Sequence, residues 1–346
     1  MQYDGYRRLA LSAAILAALA SGPAFAQQNT SGKTADDTAN SLEEVVVTGS
    51  ASAGGVKKID ASYSITTASQ QEILDAAPSS TADLLKIVPG VWAESSGGST
   101  GANIYVRGVP GTGDAPYVTM ELDGSPLYPS ATLSFLENST LFRIDDTVQR
   151  VEVLRGGPSP IFSNGQPGIT VNFIQRNGMD TPEGEGSGRV TVGTDSLYRV
   201  DGYYGGQVAE KWYLSVGGFY RRGDGVHDTQ YPANEGGQVS MNLTRALDAG
   251  TFSVYGRHLD DRNAFFTAMP LVATGGDEVG RFPGFDAGRD TLYGNDLRHL
   301  QFQVTPGTTP GTISRDAADG RGTDIDLFGS TLDLRYDGWS FSNRAQ

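Results

Sequence analysis

Residues 199–220 read Arg199-Val200-Asp201-Gly202-Tyr203-Tyr204-Gly205-Gly206-Gln207-Val208-Ala209-Glu210-Lys211-Trp212-Tyr213-Leu214-Ser215-Val216-Gly217-Gly218-Phe219-Tyr220. Side chains of a strand point alternately to its two faces, so the phase of this stretch assigns each residue a side. Val200, Gly202, Tyr204, Gly206 and Val208 fall on one face; Asp201, Tyr203, Gly205 and Gln207 fall on the other. After the tight turn at Ala209-Glu210 the rhythm resumes. Trp212, Leu214, Val216, Gly218 and Tyr220 now alternate with Tyr213, Ser215, Gly217 and Phe219.

The same rhythm extends in both directions. Val190 and Val192 alternate with Arg189 and Thr191, and Val239, Met241 and Leu243 alternate with Gln238, Ser240 and Asn242. Phe252 and Val254 stand against Ser253 and Tyr255, and Leu332, Leu334 and Tyr336 against Thr331, Asp333 and Arg335. An apolar face with aromatics toward its ends and a polar opposite face form the dyad pattern of a transmembrane β-barrel. Connections alternate too. Ala209-Glu210, Leu247 to Gly250 and Asp337-Gly338 are tight, whereas 223–236 is long and 261–322 very long. Short turns on one side and long loops on the other suit an outer-membrane barrel. A soluble β-sandwich also alternates, but seldom carries so long a connection beside two-residue turns. Strands are expected near 188, 199, 212, 238, 251, 324 and 339.

Composition narrows the function classes. The chain has 346 residues, 46 of them Gly, and a formal net charge of −14. That acidity argues against a general nucleic-acid binder, which needs a basic footprint. There is no Cys, so disulfides, thiolate nucleophiles and cysteine-ligated metals are excluded. His227, His258 and His299 are too far apart in sequence for a metal-ligand spacing, and no metal or other cofactor is expected.

The first residues read as an address. Arg7 and Arg8 precede an apolar run from Leu9 to Ala20, and Ala24-Phe25-Ala26 supplies a small-x-small cleavage site. This is the form of a secretory signal peptide, residues 1–26, cut before Gln27. The run is too short to span a bilayer, so membrane residence must use strands. Residues 27–42 are polar and lack aromatics. Then comes Glu43-Glu44-Val45-Val46-Val47-Thr48-Gly49, a β-competent heptad between polar segments. Such a heptad suits docking on another protein's sheet edge, and pattern alone weighs an ordinary edge strand equally.

From Ile59 to about Arg176 the pattern is compact and mixed. Ser69-Gln70-Gln71-Glu72 is a capping box opening a short helix that ends before Pro78. Ser80-Thr81-Ala82-Asp83 opens another, stopped by Pro89-Gly90. Strands are expected at 104–108, 117–122, 148–154 and 169–174. In the third, Val148, Arg150 and Glu152 alternate with Gln149, Val151 and Val153.

In order and spacing, these motifs resemble the TonB-dependent receptors of Gram-negative outer membranes. Asp83-Leu84-Leu85 with Val88-Pro89-Gly90-Val91 is similar to the family's L-x-x-x-P-G-V segment, and Ile104 to Gly108 to its I-x-x-R-G strand. Leu122-Asp123-Gly124 with Pro126-Leu127 resembles its V-D-G-x-P-L turn. Val151-Glu152-Val153-Leu154-Arg155-Gly156 resembles its R-V-E-V-L-R-G strand, and Gly168 to Ile174 its closing G-G-x-I-N-I segment. There are departures: Gly156-Gly157-Pro158 replaces a single Gly-Pro, Phe162-Ser163 stands for Tyr-Gly, and Ile169 replaces one glycine of the closing pair.

The resemblance implies a mixed α+β plug domain (59–180) followed by the N-terminal part of a transmembrane antiparallel β-barrel (181–346). A flexible periplasmic segment, 27–58, precedes the plug. Glu43, Glu44, Val45, Val46, Val47, Thr48 and Gly49 would be the TonB box, which the periplasmic protein TonB adds as a strand. Pro89, Gly90, Arg107, Gly108, Asp123, Gly124, Glu152, Arg155 and Gly156 would be structural plug positions. Arg107, Arg150 and Arg155 are expected to pair with Glu121, Asp123 or Glu152 rather than touch a ligand. Ligand contacts are expected on plug loops 95–103 and 128–142 and on the long barrel loops, with Tyr128, Phe135, Phe265, Phe266 and Arg281 as candidates. Arg289 and Arg298 add charge in the same long segment.

The function implied is energy-coupled uptake of a scarce nutrient, such as a ferric siderophore, cobalamin or a carbohydrate, by a monomer in the outer membrane. A catalytic hydrolase would find no Cys nucleophile here, and the three His residues are scattered in barrel-like or loop sequence. A passive porin or other ligand-binding outer-membrane β-protein needs neither docking strand nor plug. A plugged barrel of this type has about 22 strands. Residues 185–346 supply about seven, so the sequence is expected to be a receptor fragment with two unpaired sheet edges.

Overall fold

The computed structural model describes residues 46–47, 56–58, 64–95, 97–109, 117–127, 138–156, 168–266, 269–276, 278–295, 298–304 and 311–346. Segment 1–26, expected to be a signal peptide, and the polar stretch 27–42 lie outside them. Two short strands come first, β1 (Val46–Val47) and β2 (Val56–Lys57), paired antiparallel with Val46 opposite Lys57 and Val47 opposite Val56.

The mixed domain follows. Strand β3 (Ser64–Ser69) runs into helix α1 (Gln70–Ala76). The capping box is formed: the Ser69 hydroxyl accepts from the Glu72 N–H, and the Glu72 carboxylate accepts from the Ser69 N–H at 2.7 Å. Ala77, at φ 43°, closes α1 before Pro78. Ser80 caps helix α2 (Thr81–Leu84), which tightens into a 3-10 turn over Leu85–Ile87. Then come β4 (Val91–Glu94), β5 (Asn103–Val106), β6 (Val118–Leu122), β7 (Ser125–Pro126), β8 (Val148–Arg155) and β9 (Ile169–Gln175).

One five-stranded sheet has the order β3-β8-β9-β6-β7, with β6 and β9 parallel; β4 and β5 form a separate hairpin. The sheet's apolar side carries Met120, Leu122, Val151, Val153, Val171 and Phe173 against the helices, including Leu84 and Leu85. The strict alternation expected of 148–154 is not kept. The register slips between Val148 and Arg150, which brings Val148 into the same apolar cluster as Val151 and Val153. Nor does the strand expected at 104–108 run through Gly108: it ends at Val106, and Arg107 (φ 54°) and Gly108 (φ 74°) turn left-handed.

The rest is a meander. Strands β10 (Glu185–Val192), β11 (Tyr198–Ala209), β12 (Trp212–Gly223), β13 (Asn234–Leu247) and β14 (Gly250–Asn263) pair consecutively. Two small hairpins interrupt the sequence, β15 (Leu271–Gly275) with β16 (Glu278–Arg281), and β17 (His299–Val304) with β18 (Gly311–Asp316). Strand β19 (Arg321–Tyr336) then pairs directly with β14, and β20 (Trp339–Ala345) with β19. All seven expected strands are present, and the stretch between β14 and β19 is one connection.

The polarity of this seven-stranded sheet is inverted. Val190 is 71% and Phe328 71% exposed on the outer face, whereas Asp201, Gln238 and Asp261 are fully buried on the inner one. In water such an arrangement exposes what should be buried. Against hydrocarbon, with the plug on the other side, it is the favourable one. Tyr336 and Trp339 lie exposed at the tight-turn end, where an aromatic girdle belongs.

Candidate functional site

The plug motifs converge on one corner. The Gly90 carbonyl (Gly90 at φ 81°) accepts from the Arg107 N–H at 2.7 Å, and Arg155 Nη1 donates to the Pro89 carbonyl at 3.2 Å. Gly156, at φ 69°, leaves room for the Arg107 guanidinium: a Cβ there would lie 2.6 Å from Arg107 Nη1. Beside this corner Gly90, Val91, Trp92, Tyr105, Gly108 and Val109 line an open cleft of about 430 Å³. Farther along the sheet, the turn at Asp123 and Gly124 is held by Gln175, whose N–H and Nε2 donate to Asp123 at 2.9 and 2.8 Å. The Gly124 N–H bonds Asn172 Oδ1 at 2.9 Å.

The expected arginine–carboxylate pairing is only partly realised. Arg150 meets buried Glu152 at 2.9 Å. Glu121 meets no arginine among the described residues; its Oε1 is buried without a hydrogen-bond partner among them, and burial pushes its carboxyl up to about 8. Asp123 is served by Gln175, and its backbone carbonyl accepts from Arg344 of β20 at 2.8 Å.

The wall grips the plug through a segment the motifs do not include, residues 139–147. Arg143 Nε donates to Asp261 Oδ2 of β14 at 2.7 Å, and Arg221 of β12 reaches the same oxygen at 2.8 Å. Gln238 of β13 donates to the Arg143 carbonyl at 2.8 Å and to Asp145 Oδ2 at 2.6 Å, and its Oε1 accepts from the Arg143 N–H. Arg257 of β14 crosses the other way: its guanidinium lies 4.4 Å from the Phe142 ring centre and donates to Thr147 Oγ1 at 3.2 Å. At the first wall strand Arg189 meets Asp146 at 2.7 Å; burial holds the Asp146 carboxyl above its usual range, against the pull of Arg189. The sequence signal was available in two forms: the charge-dense run Arg143-Ile144-Asp145-Asp146, and charged residues in the inward phase of wall strands.

The outward candidates are spread over several environments. Phe265 and Phe266 follow β14 and are half-buried against plug residues 97–101, with the Phe266 N–H donating to the Gly97 carbonyl at 3.1 Å. Arg281 is exposed at the end of β16. Arg298 is paired with Asp316 at 2.8 Å, so its charge is already answered. Tyr128 and Phe135 lie outside the described residues, as do Glu43, Glu44, Val45, Thr48 and Gly49 of the heptad. No cluster of three or more metal-ligating side chains occurs among the described residues.

A folded α+β domain fastened to the polar inner face of an inverted antiparallel sheet defines a plugged transmembrane β-barrel, of which this chain holds the plug and seven wall strands. The model of the TonB-dependent Receptor Plug Domain matches residues 57–170. The pesticin receptor of Yersinia enterocolitica is 30% identical over 130 residues, 37% of this chain and 18% of that receptor. The vitamin B12 transporter BtuB of Photobacterium profundum is 24% identical over 219 residues, 63% of this chain and 34% of that transporter. The pyoverdine outer membrane receptor FpvA from Pseudomonas aeruginosa has the same fold, with TM-score 0.59 and 17% identity over 83% of this chain and 37% of FpvA. The plug-domain match and these similarities together support a TonB-dependent receptor. It spans about a third of the solved receptor's length.

Proposed function

We propose that this chain provides the plug, docking strand and first wall strands of an energy-coupled outer-membrane importer for a scarce nutrient of the ferric-siderophore type. The observation carrying this reading is the polar lock between plug segment 139–147 and wall strands β12–β14. A wall that only needed to conduct would not fill its lumen with a folded domain held by buried charges. The charged lock also explains why work is required. A plug held by buried polar contacts blocks passage until an external pull disturbs it, and the outer membrane has no energy source of its own. The heptad 43–49 is the place where TonB would pull, by strand addition through main-chain hydrogen bonds.

In this reading residues 1–26 direct export and are removed, and the receptor acts as a monomer without cofactor or catalytic residue. The cargo is met by plug loops 95–103 and 128–142 and by the connection between β14 and β19. FpvA, solved with pyoverdine bound, tilts the cargo toward siderophores, whereas the match to the vitamin B12 transporter keeps cobalamin as the second class. The experiment is uptake of a panel of radiolabelled ferric siderophores and cobalamin by cells carrying the receptor, with and without TonB. Accumulation of one class that is lost without TonB while surface binding persists is the expected result. TonB-independent accumulation overturns the reading.

A further inference from the structure

The polar lock engages the loop-side ends of β12, β13 and β14, and a second fastening lies just beyond it, where the chain leaves β14. Connection 264–320 leaves β14 and returns into β19, and both of its feet touch the same glycine-rich plug loop. At the first foot, Phe265 is seated on Gly97 and Gly101: a Cβ on either glycine would lie 2.6 Å from Phe265 Cε2. Phe266 follows, its N–H bonded to the Gly97 carbonyl at 3.1 Å and its ring edge-on to His227, with centres 4.8 Å apart. At the second foot, the Arg321 guanidinium lies 4.5 Å from the Phe265 ring centre and donates to the Thr100 carbonyl. One phenyl ring is thus held between two plug glycines and an arginine from the opposite end of the connection.

We propose that Phe265 is the bolt of a latch between plug and outer connection, positioning the two cargo-facing surfaces as one unit. The glycines make the seat, because any side chain at 97 or 101 would occupy the ring's place. Arg321 closes it, since a cation over a ring face in a partly desolvated site adds attraction to that of its hydrogen bond. Displacement of loop 97–101 unseats the ring and frees both feet together. By reciprocity, displacing the feet loosens the plug loop. Phe265 then acts through the loops it holds in place, without contacting cargo. The assignment of an outward side rests on the importer reading; the contacts themselves do not.

The sequence contains no cysteine, so single-cysteine reporters are clean. Ala264→Cys reads the foot and Thr100→Cys reads the plug loop, both at buried positions. Maleimide labelling is followed on cells carrying the receptor, after matched outer-membrane levels are confirmed. Gly101→Ala should raise labelling of the foot reporter about tenfold or more, and Phe265→Ala should do the same for the plug-loop reporter. Arg321→Ala should raise both, while Arg321→Lys, which keeps the cation, should restore the slow rates. Gly288→Ala, in the same connection away from the latch, should change neither. Unchanged labelling of the foot reporter in Gly101→Ala overturns the latch. So does acceleration in only one direction, or failure of lysine to rescue. A loss of TonB dependence would leave these rates as they are and would count against the importer reading alone.

Discussion

Arg143 and Asp261 meet at 2.7 Å across the plug–wall boundary, with 5% and 0% of their side chains exposed. Asp261 also receives Arg221 at 2.8 Å and the Asn263 amide at 3.0 Å, so a single buried carboxylate answers two guanidinium groups. Asymmetry follows from the count. Removing Asp261 strands two buried cations, whereas removing Arg143 leaves Asp261 with Arg221.

Asp261→Ala is therefore expected to destabilise the docked plug more than Arg143→Ala does. Leaving a buried charge without its partner costs about 3–5 kcal/mol. Denaturant unfolding of the detergent-purified receptor, with plug release followed by protease sensitivity of residues 139–156, measures both. The ordering predicted is Asp261→Ala first, then Arg143→Ala, with Asp261→Asn between them.

Glu121 supplies the pH dependence. Burial raises its carboxyl from 4.5 to about 8. Between those values the folded plug holds a proton that the unfolded chain has released. Stability is fully present below about 4.5 and falls as pH rises toward about 8. Glu121→Gln removes that fall. The expected outcome is a variant more stable than the parent at pH 8, by about 4 kcal/mol, and nearly equal to it at pH 4.5. Asp123 and Asp146, also raised by burial, slope the same way in both proteins, so only the difference between the two unfolding curves reports Glu121.

The outer face gives a test of environment. Phe328 is 71% exposed. In water, Phe328→Arg would be harmless or helpful. Against lipid, an arginine near the bilayer midplane costs about 2–4 kcal/mol. Folding of the receptor into vesicles should fall accordingly, with Asp324→Arg, in the same outward phase but near the loop end of the same strand, much milder. Equal effects at both positions would contradict a lipid-facing sheet.

Much of this architecture was readable in the sequence because a membrane wall repeats one instruction. The two-residue period of 199–220 set the phase of β11 and β12, and the tight turns carried that phase through to β20. The plug helices were legible from their caps, Ser69 and Ser80. The plug–wall lock was harder to see. Arg143 and Asp261 are far apart in sequence: the charged run 143–146 and the inward phase of Asp261 mark each as unusual, but nothing local pairs one with the other. Pairing of Glu121 with an arginine was a natural reading of composition. It failed because β6 sits inside the sheet, where Asn172 is the residue opposite Glu121. The seat of Phe265 was invisible for a similar reason: glycines 97 and 101 read as loop residues until the ring is placed on them.

The heptad offers the most direct test of energy coupling. Val46 and Val47 pair with Lys57 and Val56, and among the described residues no strand pairs along their other edge. Val46→Pro removes the N–H that strand addition needs and imposes a backbone poorly suited to a ladder. Uptake should fall to the level seen without TonB, while cargo still binds the cell surface. Lys57→Pro separates two routes. If TonB adds to that other edge and the internal pair supports the strand, uptake should fall several-fold. If TonB must displace the internal partner, weakening that partner should leave uptake intact or raise it. We expect the second result, because a pair of two-residue strands offers few hydrogen bonds to hold it against a longer incoming strand. Measuring uptake and surface binding side by side for the two variants decides between them. Normal uptake with Val46→Pro would remove the heptad from the mechanism altogether.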